Sequence, residues 1–326
     1  MKTILLTGAT GFLGSRTLER LVELPDVKRV IATGRSIKQT HFIDHPKAEY
    51  RLGDLTDANF VDSLVEGADI VINTAALSSP WGREGDFKVA NVDTQSNVIE
   101  AALKYGVDRF IYVSTPSLYF RMQDQFNIKE DDPLPDPSVN AYASTKREAE
   151  LLLQASGLPY VMFRPRALIG RGDTVIMPRL LRAYNEGRLK IIGDGKNLVD
   201  MTPVSNVVDA IILALTVTGE GLNQTYNISN GSPVSLWDAI NKVFIRLGKK
   251  PLTQKVPFPI IRTIAQVMEW KAKWTNYNEP PLTVYSVAAM AKSFSLDITK
   301  ARNLLGYEPR MTTEKAMDNF VAWYLD

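Results

Sequence analysis

The sequence predicts an α/β protein: a doubly wound parallel sheet, with a smaller lobe supplied by the C-terminal part of the chain. Three observations lead there. Short apolar and β-branched runs, Thr3 to Thr7, Arg29 to Thr33, Glu49 to Leu52, Asp69 to Asn73, Arg109 to Val113 and Tyr160 to Arg164, alternate with longer helical patterns. Alternating strand and helix make parallel strands covered by helices on both faces. The first run passes straight into a glycine-rich stretch, and after Gly170 the rhythm loosens, with Pro178, "GDGKN" and "SNGSP" separating short elements. We expect residues 1–170 to form the sheet domain and 171–326 mainly the second lobe, later segments being free to return to the sheet.

Taken in order, the first run is followed by "TGATGFLG", with Gly8, Gly11 and Gly14 at the opening of a helix. Glycines let the backbone turn sharply and approach a pyrophosphate, whose charge is met by the free N–H groups of the helix start. Between a strand and a helix, at the head of an alternating sheet, this pattern signals a dinucleotide site of the Rossmann kind, lined by Gly8, Thr10, Gly11, Phe12, Leu13 and Gly14. The second run ends "VIATGRSIK". An acid there would hold the ribose hydroxyls of NAD; here Gly34 takes its place and Arg35 follows, with Ser36 and Lys38 nearby. A guanidinium meets a phosphate with two parallel hydrogen bonds, so NADP is the expected cofactor and NAD the alternative. After the third run, "GDLTD" offers Asp54 to the adenine amino group and Leu55 to its ring. The pattern "DFKVANVDTQSNVIEAALKYG" reads as a helix stopped by Gly106, and "KEDDPLPDPS" as a surface loop.

The fifth run leads into "VSTPSLYF", with hydroxyls on Ser114, Thr115 and Ser117. Downstream, "NAYASTKREAELLL" sets Tyr142 and Lys146 four apart, on one helix face. A nearby ammonium favours the ionised phenol, which makes Tyr142 a usable proton carrier.

The motifs "TGATGFLG", "NTAAL", "VSTPS", "YASTK" and "FRPRALIGRGD", in that order, resemble the extended short-chain dehydrogenase/reductases of the NAD-dependent epimerase/dehydratase superfamily, over nearly the whole chain. Within it the sequence is most similar to the branch of 3β-hydroxysteroid dehydrogenases and 2-alkyl-3-oxoalkanoate reductases. The resemblance implies an acid/base role for Tyr142, a ribose-binding and pKa-lowering role for Lys146, and a substrate-orienting hydroxyl on Thr115. It also places Asn73, Ala75, Ala76, Val113, Arg164 and Pro165 along the cofactor, and Asn91 in a structural or water-binding position. Strand alternation turns Ser114 away from Thr115, and Ser117 is expected to satisfy local backbone. The implied reaction is hydride transfer between nicotinamide and a ketone or secondary alcohol on an apolar 3-oxoacyl, 2-alkyl-3-oxoalkanoate or steroid-like substrate. A sugar-nucleotide epimerase or dehydratase is the alternative, with Arg171, Arg179 and Arg182 as diphosphate ligands; a non-catalytic NADP-binding protein is the further one. A homodimer through the Tyr142 helix and the helix at about 86–105 is implied as well.

Composition narrows the remaining classes. The 326 residues are 45% hydrophobic, and 38 Lys and Arg against 36 Asp and Glu give a net charge of +2, which favours no nucleic-acid surface. There is no cysteine, and the two histidines, His41 and His45, stand in a polar stretch, so disulfides, thiolate catalysis and a metal site are not expected. The N-terminus reads as a core strand rather than a signal peptide, and we expect a cytoplasmic protein. Ser78, Trp81, Phe120 and Leu168 are the substrate candidates; Met162, Ile176 and the 257–285 segment add apolar side chains. "PFPIIRTIAQVMEWKAKW" is too polar to span a bilayer and reads as a helix packed on the lobe, a lid, or a weakly interfacial helix.

Overall fold

The computed structural model describes every residue except Lys38. The chain begins β1 (Lys2–Thr7), α1 (Phe12–Val22), β2 (Val27–Thr33), β3 (Ala48–Tyr50), α2 (Ala58–Val65) and β4 (Ile70–Asn73). It continues with α3 (Glu84–Lys88), a π-helical turn at Val89–Asp93, α4 (Thr94–Tyr105), β5 (Arg109–Val113), β6 (Gln125–Ile128), α5 (Ala141–Ala155) and β7 (Tyr160–Pro165). Beyond these come β8 (Leu168–Ile169), α6 (Ile176–Asn185), β9 (Ile191–Ile192), β10 (Leu198–Val199), β11 (Thr202–Pro203), α7 (Val204–Ala214) and β12 (Gln224–Ile228). The last elements are β13 (Val234–Ser235), α8 (Leu236–Arg246), β14 (Lys255–Val256), α9 (Phe258–Trp274), α10 (Val284–Ala291), β15 (Phe294–Leu296) and α11 (Thr313–Leu325).

The large sheet has seven parallel strands in the order β12-β7-β5-β4-β1-β2-β3. Its central strands are apolar throughout because helices cover both faces: Ile4, Leu6, Ile72 and Phe163 belong to one core layer, Leu5, Val71, Phe110 and Met162 to the other. From β1 the chain moves outward to β2 and β3, then returns to β4 on the other side of β1. That reversal opens a crevice at the carboxyl ends of β1 and β4, where ligands bind in open α/β sheets. The helix read from the sequence is there, ending at Gly106 in the left-handed conformation.

The edge strand β12 pairs with β7, and α7 packs on α1, so residues 204–228 belong to the large-sheet layers although they follow Gly170. The β12 run is short and was not distinguished by alternation. Ile298, Ala301, Leu305 and Tyr307 return to the large-sheet core as well, while much of the remaining C-terminal chain builds its own core around Trp237, Ile240, Phe244, Met317 and Phe320. A second sheet, β13-β10-β15-β6, borrows β6 from the first half and thereby ties the two layers together. Among the described residues no helix is long and apolar enough to cross a membrane.

Candidate active site

The glycine loop is a close-packed turn. Gly8 has φ +68°, and a Cβ on it would lie 2.7 Å from Thr74 Oγ1; a Cβ on Gly14 would lie 2.0 Å from the Gly8 carbonyl oxygen. Only glycine fits at these two places, so the loop folds back on itself and leaves bare backbone at the start of α1. No side chain caps that helix, whose N-cap is Gly11 and whose first turn holds no acid. Free N–H groups and the positive end of the helix dipole therefore face the crevice, and the cradle fits a dinucleotide pyrophosphate. Gly34 is constrained as well: a Cβ there would lie 2.2 Å from Thr10 Oγ1, so the end of β2 has no room for an acid while Thr10 stands against it. Arg35 projects into solvent beside it and acts on Asp54, whose carboxyl is held below the usual range first by hydrogen bonds from Thr56 and, to a lesser extent, by Arg35. Lys38, grouped with Arg35 in the sequence, lies outside the described residues.

Across the crevice, β5 ends at Val113 and the chain turns through Thr115 into a 3₁₀ turn, Pro116–Tyr119, with Thr115 as its cap. Asn140 caps α5 by accepting from Ala143 N, which fixes the helix start just before Tyr142. The Tyr142 phenol is pushed up by burial, opposed by the neighbouring hydroxyls of Ser78 and Thr115. Those two hydroxyls and the phenol form one cluster. One turn on, Lys146 is 1% exposed; it donates to the Val113 carbonyl at 2.7 Å and lies 4.1 Å from the centre of the Tyr112 ring. Burial pushes its ammonium down to about 7, against the pull of Glu150. The loop from Ser78 to Trp81 closes the cluster: Trp81 stacks on Tyr277 at 5.1 Å between centroids and donates its indole N–H to the Tyr277 carbonyl.

Residues 4–229, which include the glycine cradle, Thr115, Tyr142 and Lys146, match the NAD dependent epimerase/dehydratase family. The chain belongs to that family. An uncharacterized protein of Escherichia coli, YbjS, is 33% identical over 99% of this chain and 98% of its own. A 2-alkyl-3-oxoalkanoate reductase of Stenotrophomonas maltophilia is 31% identical over 96% of this chain and 97% of its own. Among solved structures, the Bordetella bronchiseptica enzyme WbmH in complex with NAD+ superposes with a TM-score of 0.78 over 100% of this chain and 99% of its own, at 23% identity. The fold is thus that of the extended short-chain dehydrogenase/reductases, and the protein is an enzyme of that type.

Some residues read from the sequence take other places in this dehydrogenase fold. Asn73 is buried; its side chain accepts from Ala75 N and donates to Gln95, so it shapes the loop and leaves Ala75 and Ala76 to border the crevice. The Arg164 guanidinium turns beneath α5 into a buried pair with Glu150 and also donates to Tyr119, so only its backbone remains at the strand end beside Pro165. Phe120 is core rather than pocket wall, packed with Phe294, Ile128 and Ala288; Met162 is buried under α4 and α5; Leu168 is half-buried against the main core. Asn91 clamps Leu77 through both amide atoms and donates to Thr145, which fixes the loop carrying Ser78. Ser114 is buried with its hydroxyl unpartnered, whereas Ser117 Oγ reaches both Thr115 Oγ1, at 3.1 Å, and Tyr285 Oη, at 2.8 Å. The expectation that Ser117 serves only local backbone is therefore corrected.

Three residues escaped the sequence reading. Glu150 continues the Tyr142–Lys146 face by another four residues, a spacing that was legible. His41 is buried between the carbonyl oxygens of Thr10 and Gly172 although its sequence surroundings are polar. Tyr285 comes from a helix far along the chain, and no local pattern announces it.

Proposed function

We propose that the protein reduces the ketone of an apolar 3-oxoacyl compound, of the 2-alkyl-3-oxoalkanoate kind, to the secondary alcohol at the expense of NADPH. The observation that carries this reading is the cluster of Tyr142, Thr115 and Ser78 facing the glycine cradle, with the phenol held in its protonated form by burial. With its pyrophosphate held in the cradle, the dinucleotide would supply the hydride from its nicotinamide. Thr115 holds the carbonyl oxygen, and Tyr142 gives that oxygen its proton as the carbon is reduced. Lys146, on the same helix face, binds the nicotinamide ribose and holds positive charge near the phenol, easing loss of its proton. For the cofactor, the lack of space at Gly34 together with the exposed Arg35 favours a 2′-phosphate.

The aromatic rim of Trp81, Tyr277 and Tyr285 supports an apolar substrate. Two of the arginines available to a sugar diphosphate are engaged elsewhere, Arg171 with Glu19 and Arg179 with Glu279, which speaks against the epimerase reading. On α9, Ile260, Ile264, Val267, Trp270 (63% exposed) and Trp274 (77%) form an outward apolar face, with Lys271 within it. Apolar and cationic groups together suit weak association with an anionic lipid surface. Leu103 on α4 and Leu151 on α5, both exposed, support a homodimer through those helices.

A panel assay tests the reading. Purified protein with NADPH or NADH is offered 2-alkyl-3-oxoalkanoates, ketosteroids and sugar nucleotides while reduced nicotinamide absorbance is followed. The 2-alkyl-3-oxoalkanoates should consume NADPH, and Arg35→Asp should shift preference toward NADH. Tight NADPH binding without turnover of any ketone would sink the reductase reading, and an unchanged cofactor ratio in Arg35→Asp would sink the phosphate assignment.

A further inference from the structure

We infer that Tyr285 anchors the hydroxyl chain that ends on Thr115, and so acts as a positioning residue for the ketone reduction proposed above, on which this inference rests. Tyr285 Oη lies 2.8 Å from Ser117 Oγ, with either hydroxyl able to donate, Thr115 Oγ1 donates to Ser117 Oγ at 3.1 Å, and Thr115 neighbours the Tyr142 phenol. Thr115 Oγ1 also accepts from the Ser117 backbone N–H at 3.2 Å.

Thr115 Oγ1 is tied to Ser117 twice, donating to its hydroxyl and accepting from its N–H, so the place of Ser117 Oγ sets the rotamer of Thr115 and the side its oxygen presents to the ketone. Ser117 Oγ is held in that place by the Tyr285 phenol. When the Thr115 proton turns to the carbonyl oxygen, Ser117 still fixes Thr115 Oγ1 through its N–H, and Tyr285 keeps the Ser117 hydroxyl from turning to another partner. An alanine or phenylalanine anywhere along the chain removes that anchor.

Tyr285 is held firmly enough for this role. It stands in the first turn of α10, where Thr283 accepts from Ser286 N and Ser286 accepts from Thr283 N in a reciprocal cap. Glu269 of α9 accepts from Val284 N at 2.7 Å, and the Tyr285 ring lies edge-on to Phe120 at 5.1 Å. A helix of the C-terminal lobe thereby reaches the hydroxyl at the end of β5, and the two layers are joined at the reacting oxygen.

The test uses the full-length protein with NADPH and a 2-alkyl-3-oxoalkanoate, comparing wild type, Tyr285→Phe, Ser117→Ala, the double variant and Thr115→Val. Phenylalanine keeps the ring packing and removes only the hydroxyl. Each single variant in the chain should lower kcat about three- to tenfold, the effect of one lost neutral hydrogen bond. KM for the ketone and the dissociation constant of NADPH should stay within about twofold, because only orientation at the reacting oxygen is lost. The double variant should be no worse than the more severe single one, since a chain broken once is broken. Full kcat in Tyr285→Phe, a loss confined to KM, or multiplied losses in the double variant would each overturn the inference while Thr115→Val remains impaired. A wild type that binds NADPH but reduces no ketone instead removes the proposed function and this inference with it.

Discussion

The two layers of the molecule commit their side chains in opposite ways. Around the large sheet, polar groups are spent inward: Asn73 on Ala75 and Gln95, Asn91 on Leu77 and Thr145, Arg164 on Glu150 and Tyr119. To a pyrophosphate this half presents mostly backbone, shaped by glycines where no Cβ fits, and at the strand ends it adds the hydroxyls of Ser78, Thr115 and Tyr142. The C-terminal lobe presents side chains: Tyr277 against Trp81, Tyr285 into the hydroxyl chain, and an apolar helix face turned to solvent. The first layer is built to hold its groups rigidly, the second to meet whatever the substrate brings, and substitutions should hurt them differently.

The largest effect is expected where a buried charge loses its partner. Glu150→Ala leaves the Arg164 guanidinium buried and uncompensated, and should lower unfolding stability by about 3–5 kcal/mol in denaturant titration. A loss under 1 kcal/mol would mean that Arg164 finds water or another acid, and the contrast between the layers would weaken. Lys146 gives a pH-dependent effect, small near pH 7 and growing above it. Its folded-state pKa, lowered to about 7 from an ordinary 10.5, means that between about pH 7 and 10.5 the unfolded chain binds the extra proton. Its contribution to stability therefore rises with pH across that window, by at most about 1.4 kcal/mol per pH unit. Lys146→Met should remove that slope; an unaltered slope would place its origin elsewhere. The smallest stability effect belongs to the lobe surface: Trp270→Ser with Trp274→Ser should change unfolding stability by less than about 0.5 kcal/mol, yet weaken sedimentation with vesicles containing phosphatidylglycerol. Undiminished co-sedimentation would remove the lipid reading of α9, and a large stability loss would show that this face is packed after all.

The same contrast governs what could be read from the sequence. The glycine loop was legible because a backbone turn of that tightness leaves a fixed spacing at Gly8, Gly11 and Gly14, and six of the seven large-sheet strands announced themselves as apolar runs. Tyr142 and Lys146 were legible because helix periodicity puts them on one face. The seventh strand, Gln224–Ile228, was not, since "QTYNI" is short and three of its side chains, Gln224, Thr225 and Asn227, are polar. Nor was Arg164's destination: a strand sequence states which face a side chain takes only once the helices covering each face are known. Tyr285 lies 168 residues from Ser117 in sequence, and only the folded lobe brings the two within hydrogen-bond distance.

One measurement bears most directly on the proposal that the Tyr142 cluster reduces a ketone: turnover of a 2-alkyl-3-oxoalkanoate by wild type and Tyr142→Phe at saturating NADPH, with NADPH affinity measured by fluorescence on the same samples. The account predicts a loss in kcat on the order of 10²–10⁴-fold, as expected for removal of a general acid, with NADPH affinity nearly unchanged. Equal loss of turnover and cofactor affinity, or turnover that survives without the phenol, would contradict it.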